Sequence, residues 1–209
     1  QNPITMDSQL LGIGFGLSSA AVWGAADFCG GLAAKRNHVY LVAILSQAVG
    51  LVLLTSLAVM LRESFPLATN LIWPVVAGYF GAVGMVALYG GLAAGPMGLV
   101  APISAVLGAA LPLFYGMLTE GLPSGLQIGG LWAALTAVWL VSRTGTSVPV
   151  QPRALGLPFL AGLGLGGFLV IMGRASNAPV LWSLVAARVA ALSIMTALIL
   201  ATRCRAALQ

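Results

Sequence analysis

The chain has 209 residues, of which 60% are hydrophobic and only 6% are charged. A typical soluble domain carries about 25% charged residues, so this chain has too little charge to cover a water-facing surface. Its net charge of +5 comes from basic residues that lie between apolar runs, and no basic run offers a surface for nucleic acid. The composition therefore predicts an integral membrane protein that is embedded in the lipid bilayer and binds no nucleic acid.

Seven segments are apolar enough to cross the membrane as helices, since one span needs about 20 predominantly apolar residues. The predicted spans are 9–33, 38–61, 71–92, 97–118, 123–142, 154–173 and 180–202. The expected fold is thus an all-α membrane bundle of about seven transmembrane helices with short loops. Gly12 and Gly16, like Gly162 and Gly166, are four residues apart, a spacing that predicts close approach of helix backbones.

A weak internal repeat relates the first two spans to the last two. The matching residues are Leu11, Gly12 and Phe15 with Leu155, Gly156 and Phe159, and Gln47 and Thr55 with Arg188 and Thr196. Five helices precede the second copy, and an odd number inverts that copy in the membrane. Inverted repeats are typical of secondary transporters, which bind substrate near the midplane. We therefore divide the chain into a first five-helix repeat over 1–142, a polar connector over 143–153, and the first two helices of a second repeat over 154–209.

Asp27 lies within the first apolar span, one helical turn from Trp23, so the two side chains share a face. An isolated carboxylate in hydrocarbon is costly, so it should pair with a cation, take up a proton or line a wet cavity. Two interpretations stay open. Asp27 is a proton-coupling group in a substrate cavity, or it is a structural carboxylate near the interface that pairs with a basic residue, Arg188 or Lys35, or is satisfied by helix ends.

Three further residues are candidates for the same cavity. Arg188 keeps its charge inside the last span, so it faces substrate, water or an acid. Gln47 either contacts substrate or bonds a neighbouring helix, and Tyr89 belongs either to the cavity or to an interfacial aromatic belt. The predicted substrate-binding residues are Trp23, Asp27, Gln47, Tyr89 and Arg188.

The sequence offers no cofactor site, metal site or catalytic group, and we predict that the protein is not an enzyme. Cys29 and Cys204 are far apart and His38 is the single histidine, so a conventional zinc site cannot be assembled. Lys35 is the single lysine, which excludes a retinal Schiff base in the seventh span. No Walker loop or dinucleotide-binding fingerprint is present.

Two stretches resemble bacterial EamA-type transporters of the drug/metabolite transporter (DMT) superfamily. WGAADFCGGLAAKR, residues 23–36, resembles their first helix. Over residues 87–144, a proline-bearing helix ends in Glu120-Gly121, and Gln127 and Gly129 open the next helix, as in that family. The resemblance implies a ten-helix fold of two inverted halves, alternating access around a central cavity, and a bacterial plasma (inner) membrane location. It also implies small-metabolite substrates such as amino acids and drugs.

The chain departs from that family in length, because it ends after the seventh of ten helices. We expect either a truncated form or a protein whose cavity another chain completes, such as the partner in a homodimer. Six basic residues fall on one side of the membrane and two on the other, which places the N-terminus outside by the positive-inside rule. The resemblance implies the opposite orientation, which we follow.

The sequence thus predicts a secondary transporter of a small polar or amphipathic metabolite, with Asp27 coupling transport to protons. The alternative is a non-transporting membrane subunit or scaffold that needs a partner chain. The identity of the substrate and the direction of transport stay open.

Overall fold

The computed structural model describes residues 6–143, 156–175 and 178–207, and the chain is helical over nearly all of them. No strand occurs within these ranges. A short 3-10 helix, Ala68–Leu71, leads into the third α-helix. The α-helices are α1 (Met6–Arg36), α2 (Val39–Met60), α3 (Ile72–Ala94), α4 (Met97–Thr119), α5 (Gly125–Arg143), α6 (Gly156–Gly173) and α7 (Val180–Ala207).

Six of these helices are long and apolar enough to cross a membrane, by length and composition. The prediction of an integral membrane protein built from helices is therefore confirmed. The exception is α5, whose segment with described side chains, Gly125–Leu140, is apolar but shorter than the other spans. The fifth predicted span accordingly stays a prediction. Beyond Arg143, the predicted connector over 143–153 lies outside the described residues.

The end of α1 differs from the sequence prediction. Lys35 and Arg36, which follow the predicted span 9–33, form the last turn of the helix. Cations at this position are favourable because the unpaired carbonyl groups at a helix C-terminus carry partial negative charge. The helix therefore continues through the basic residues.

The last two helices pack against α2, α3 and α4 rather than continuing the bundle beside α5. Helix α6 packs against α3 and α4, whereas α7 packs against α2 and α3. Helix α1 contacts α2 and α3, and α5 contacts α4. Helix α3 therefore forms the centre of the bundle, because it packs against α1, α2, α4, α6 and α7.

Glycine allows α6 to approach its neighbours closely. A Cβ atom added to Gly164 would lie 2.5 Å from the Cα atom of Gly84 on α3. On the side facing α4, one added to Gly166 would lie 2.8 Å from the carbonyl oxygen of Gly108. In lipid, helix association depends on such close van der Waals packing. The prediction that Gly162 and Gly166 allow close approach of a neighbouring helix is therefore confirmed.

The equivalent prediction for α1 is wrong within the described part of the chain. A Cβ atom added to Gly12 or Gly16 would meet no atom within 4 Å. All described side chains from Leu10 to Ala26 are exposed. The N-terminal half of α1 therefore makes no close helix contact with the described residues, although its glycine spacing is suited to one.

Polar contacts join the helix ends at one surface of the bundle. The Glu63 carboxylate, in the α2–α3 loop, accepts from the backbone N–H groups of Leu181 and Trp182 at 3.2 and 3.1 Å. These donors lie in the first turn of α7, where backbone N–H groups lack intrahelical partners. At the end of α6, Arg174 donates from Nε to the Tyr115 hydroxyl at 2.7 Å. These contacts hold α7 to the α2–α3 loop and α6 to α4.

We expect Gly164→Ala to destabilise the bundle, because its Cβ atom would collide with backbone atoms that cannot move independently. The cost of such overpacking is about 1–3 kcal/mol of unfolding free energy. Equilibrium unfolding in mixed detergent micelles measures it. The matched control is Gly129→Ala on α5, where an added Cβ atom meets nothing within 4 Å. Equal unfolding free energies for the two variants would contradict the close α3–α6 contact.

Candidate functional site

A cavity of about 450 Å³ lies among α1, α2, α3, α6 and α7. Its volume is within the range of roughly 300–1,000 Å³ that is typical of small-molecule sites. Most of its lining is apolar, and Asp27 and Arg188 are the two charged residues among the residues that line it. All five predicted site residues contribute to this lining: Trp23, Asp27, Gln47, Tyr89 and Arg188. The structure therefore brings the candidates together.

Arg188 is held at the interface between α7 and α2. Its Nη1 group donates to Gln47 Oε1 at 2.6 Å. The Gln47 side chain is only 6% exposed, and its Nε2 group contacts Met85 Sδ on α3 at 3.5 Å. Gln47 thus contacts side chains of two neighbouring helices, α7 and α3. This is one of the two roles predicted for it. A guanidinium has five N–H donors, so Arg188 keeps further donors for a ligand or water.

Gly50 is a site residue that the sequence reasoning missed. A Cβ atom added to Gly50 would lie 2.8 Å from Cζ and 2.9 Å from Nη1 of Arg188. The missing side chain therefore leaves room for the guanidinium against α2. A sequence signal existed, because Gly50 follows Gln47 by three residues and positions three apart share a helix face.

Asp27 forms no salt bridge with Arg188 or Lys35, whose side chains the structure also describes. The interpretation of Asp27 as a structural partner of either cation is therefore not supported. The carboxyl group is half-buried and faces the cavity. A carboxyl group without a cation in apolar surroundings must be hydrated, protonated or bound to a ligand. Asp27 is thus available for a proton or for a cationic ligand group.

Tyr89 lines the same cavity as the two charged residues. It is only 4% exposed, its hydroxyl interacts with Ser46, and it is close enough to Asp27 and Arg188 to interact electrostatically with both. The ring packs on Gly30 of α1, where an added Cβ atom would lie 2.5 Å from the tyrosine hydroxyl. Tyr89 therefore belongs to the cavity rather than to an interfacial aromatic belt.

The two halves of α1 border the cavity differently. Near its C-terminal end, α1 packs tightly on α3, where Gly30 and Gly31 contact Tyr89 and Leu92. In the other half, Trp23 lines the cavity but is 50% exposed. The cavity is thus closed where the C-terminal half of α1 meets α3 and accessible beside the N-terminal half.

No family model, curated protein or solved structure matches the chain. The function is therefore inferred from the site itself. The cavity presents one carboxyl group, one guanidinium and one hydroxyl on apolar walls. Such a site can bind a small charged solute and can exchange a proton at Asp27.

We expect the Arg188–Gln47 pair to behave as one energetic unit. Gln47→Leu should lower the unfolding free energy by about 1.5–3 kcal/mol, because the guanidinium loses its acceptor. The double variant Gln47→Leu/Arg188→Met should recover most of this loss, since removing both partners leaves no unpaired polar group. Equilibrium unfolding of the four members of this double-mutant cycle in detergent measures the coupling.

A control on the same helix separates this effect from general loss of polarity. Ser56→Ala on α2 should change the unfolding free energy little, because the Ser56 hydroxyl is exposed and bonds only its own helix at Val52. Additive effects of the Gln47 and Arg188 substitutions would contradict the pairing.

Proposed function

We propose that the protein is a secondary membrane transporter that moves small metabolites, such as amino acids, drugs or related solutes, by alternating access. One observation carries the proposal: an unpaired carboxyl group and a partly bonded guanidinium face one cavity inside a membrane-spanning bundle. Ionisable residues are costly within a membrane and usually mark substrate or proton pathways. If Asp27 and Arg188 had a purely structural role, we would expect their side chains to form a salt bridge with each other.

We further propose that the chain is an EamA-type member of the DMT superfamily, located in the bacterial plasma membrane. The sequence resemblance supports this assignment, and so does the packing of α6 and α7 across α2, α3 and α4. The sequence repeat makes Gln47 and Arg188 equivalent positions. Equivalent positions of an inverted repeat can touch only near the axis that relates the copies, and these two side chains are hydrogen-bonded.

In this proposal, α1 controls access to the cavity. Its C-terminal half packs on α3 through glycine contacts, while its N-terminal half is exposed beside the cavity. Alternating access requires one end of the cavity to close as the other opens. A tilt of α1 about its glycine-rich C-terminal half would close the accessible end, and loss of the Gly30–Tyr89 contact would open the other.

A non-transporting membrane subunit is the second candidate function. The exposed N-terminal half of α1 favours it, because small residues such as Gly12 and Gly16 permit close contact with a further helix. This function predicts that the purified chain moves no solute in proteoliposomes and copurifies with a partner. Solute flux by the reconstituted chain alone would exclude it.

We expect Asp27→Asn to abolish proton-driven solute flux while leaving the fold intact, because asparagine keeps the shape of aspartate but cannot exchange a proton. Proteoliposomes with an internal pH-sensitive dye and an imposed pH gradient measure the flux. Leucine is the first test solute, and a screen of small amphipathic metabolites follows. An unchanged unfolding free energy would show that the variant is folded.

Glu120→Gln is the matched control, because Glu120 is an exposed carboxylate at the end of α4 and outside the cavity lining. It should retain wild-type flux. Proton-coupled flux by Asp27→Asn equal to that of wild type would rule out Asp27 as the coupling group.

A further inference from the structure

We propose that the surface where α6 ends binds the phosphate group of an anionic phospholipid, with Arg174 as the main hydrogen-bond donor. The Arg174 guanidinium contacts the aromatic rings of Trp73 on α3 and Tyr115 on α4, and we call these three residues the Arg174 site. None of them is among the residues that line the cavity. The Arg174 site is therefore separate from the cavity and does not rest on the proposed transport function.

The Arg174 site lies at one boundary of the membrane-spanning region. Helices α3, α4 and α6 are each long and apolar enough to span a membrane. Arg174 follows the last residue of α6, and Trp73 is the second residue of α3. Successive spans run in opposite directions, so α3 begins at the surface where α4 and α6 end. Arginine and aromatic side chains at the ends of spans reach the headgroup level of the bilayer, where the lipid phosphates lie.

The guanidinium of Arg174 is held in place, but most of its donors are unused. Its Nε group donates to the Tyr115 hydroxyl at 2.7 Å. Its Cζ atom lies 5.5 Å from the centre of the Tyr115 ring and 5.8 Å from that of Trp73, close enough for the rings to attract the cation. An arginine has five N–H donors, and the four on Nη1 and Nη2 have no partner among the described residues. The site therefore presents a fixed fork of donors to a ligand.

No described carboxylate neutralises Arg174. Glu63 and Glu120 lie on the same side of the bundle, in the α2–α3 loop and after α4. The Glu63 carboxylate accepts from backbone N–H groups of α7, and no salt bridge joins the described side chains of Glu120 and Arg174. The charge of Arg174 is therefore left for an anionic ligand. A phosphate fits this charge, because a guanidinium binds phosphate oxygens through two parallel N–H···O bonds.

Exposed apolar side chains beside the site favour a lipid over a free phosphate ion. Phe114, next to Tyr115 on α4, is exposed. On α3, Phe80 follows Trp73 by seven residues, which places both on one helix face, and both are exposed. Acyl chains attached to a phosphate at Arg174 would run along these side chains toward the middle of the bilayer. A free phosphate ion would contact the guanidinium alone.

The test is a lipid titration of the purified full chain, followed by native mass spectrometry in detergent. The probes are dioleoylphosphatidylglycerol and dioleoylphosphatidylcholine, which share their acyl chains and differ in headgroup charge, and glycerol phosphate, which has no acyl chain. We expect phosphatidylglycerol to bind at least about fivefold more tightly than phosphatidylcholine, because the choline group brings a second positive charge near Arg174. Glycerol phosphate at equal concentration should not displace phosphatidylglycerol.

Site variants assign the lipid preference to Arg174. Arg174→Gln should bind the two lipids about equally. Arg174→Lys keeps the charge but lacks the planar fork, so it should bind phosphatidylglycerol about threefold more weakly than wild type does. This second variant tests the site even where the glutamine variant does not fold. Arg62→Gln is the matched control and should keep the wild-type preference, because Arg62 is exposed at the same surface but contacts no aromatic ring among the described residues.

Three results would overturn the Arg174 site as a lipid site. The first is equal affinity of the wild-type chain for the two lipids, or an unchanged preference in Arg174→Gln. The second is loss of the preference in Arg62→Gln, which would show that surface charge alone selects the lipid. The third is displacement of phosphatidylglycerol by glycerol phosphate at equal concentration, which would identify a site for free phosphate. The transporter proposal is tested independently, by the solute flux of Asp27→Asn.

Discussion

The cavity depends on the permanent charge of one arginine inside an apolar helix bundle. A guanidinium cannot lose its proton at physiological pH, so Arg188 requires a polar partner wherever α7 is placed. Gln47 supplies one acceptor, and Gly50 supplies the space that lets α7 lie against α2 at this level. Gln47 accepts from one N–H group of Arg188, and the Arg188 side chain also lines the cavity. The same residue therefore fixes the α2–α7 interface and makes the cavity polar.

The helices around this cavity differ in how closely they pack. Helices α3, α4 and α6 approach closely through Gly84, Gly108, Gly164 and Gly166, and close contacts of this kind are difficult to shift without separating whole helices. The N-terminal half of α1 has no comparable contact within the described ranges. The bundle thus combines three tightly packed helices with one wall that lacks close contacts of this kind.

The sequence predicts much of this structure where a single helix contains the signal. Apolar length predicts the spans, and Asp27 and Arg188 stand out because charge is costly in them. Relations between helices are harder to predict. The separation of Asp27 from Arg188 depends on how α1 and α7 pack, and the role of Gly50 depends on a side chain 138 positions away in the sequence. Similarly, the Gly12–Gly16 spacing indicates that a helix can be approached closely, but it cannot show whether a partner is present.

Part of the family-like pattern has a local physical explanation. Gln127 Oε1 accepts from the backbone N–H group of Ser124 at 2.7 Å, and the Gln127 N–H group donates to the Ser124 hydroxyl at 3.4 Å. This is a capping box, which stabilises the start of many helices. The Gln127 match therefore carries less weight for the resemblance than the cavity residues of α1 do. Helix capping cannot account for the carboxyl group of Asp27, because this residue lies inside α1 and not at its N-terminus.

The two roles proposed for Asp27 constrain each other. If Asp27 binds a cationic group of the substrate, it must be ionised in the loaded state, so it cannot hold a proton at the same time. If it also couples transport to protons, the proton and the cationic group compete for one carboxylate. Competition at one site leads to exchange, because loading the substrate releases the proton and protonation releases the substrate. A carboxyl group without a salt-bridge partner suits this cycle, since a fixed cation beside Asp27 would compete with both.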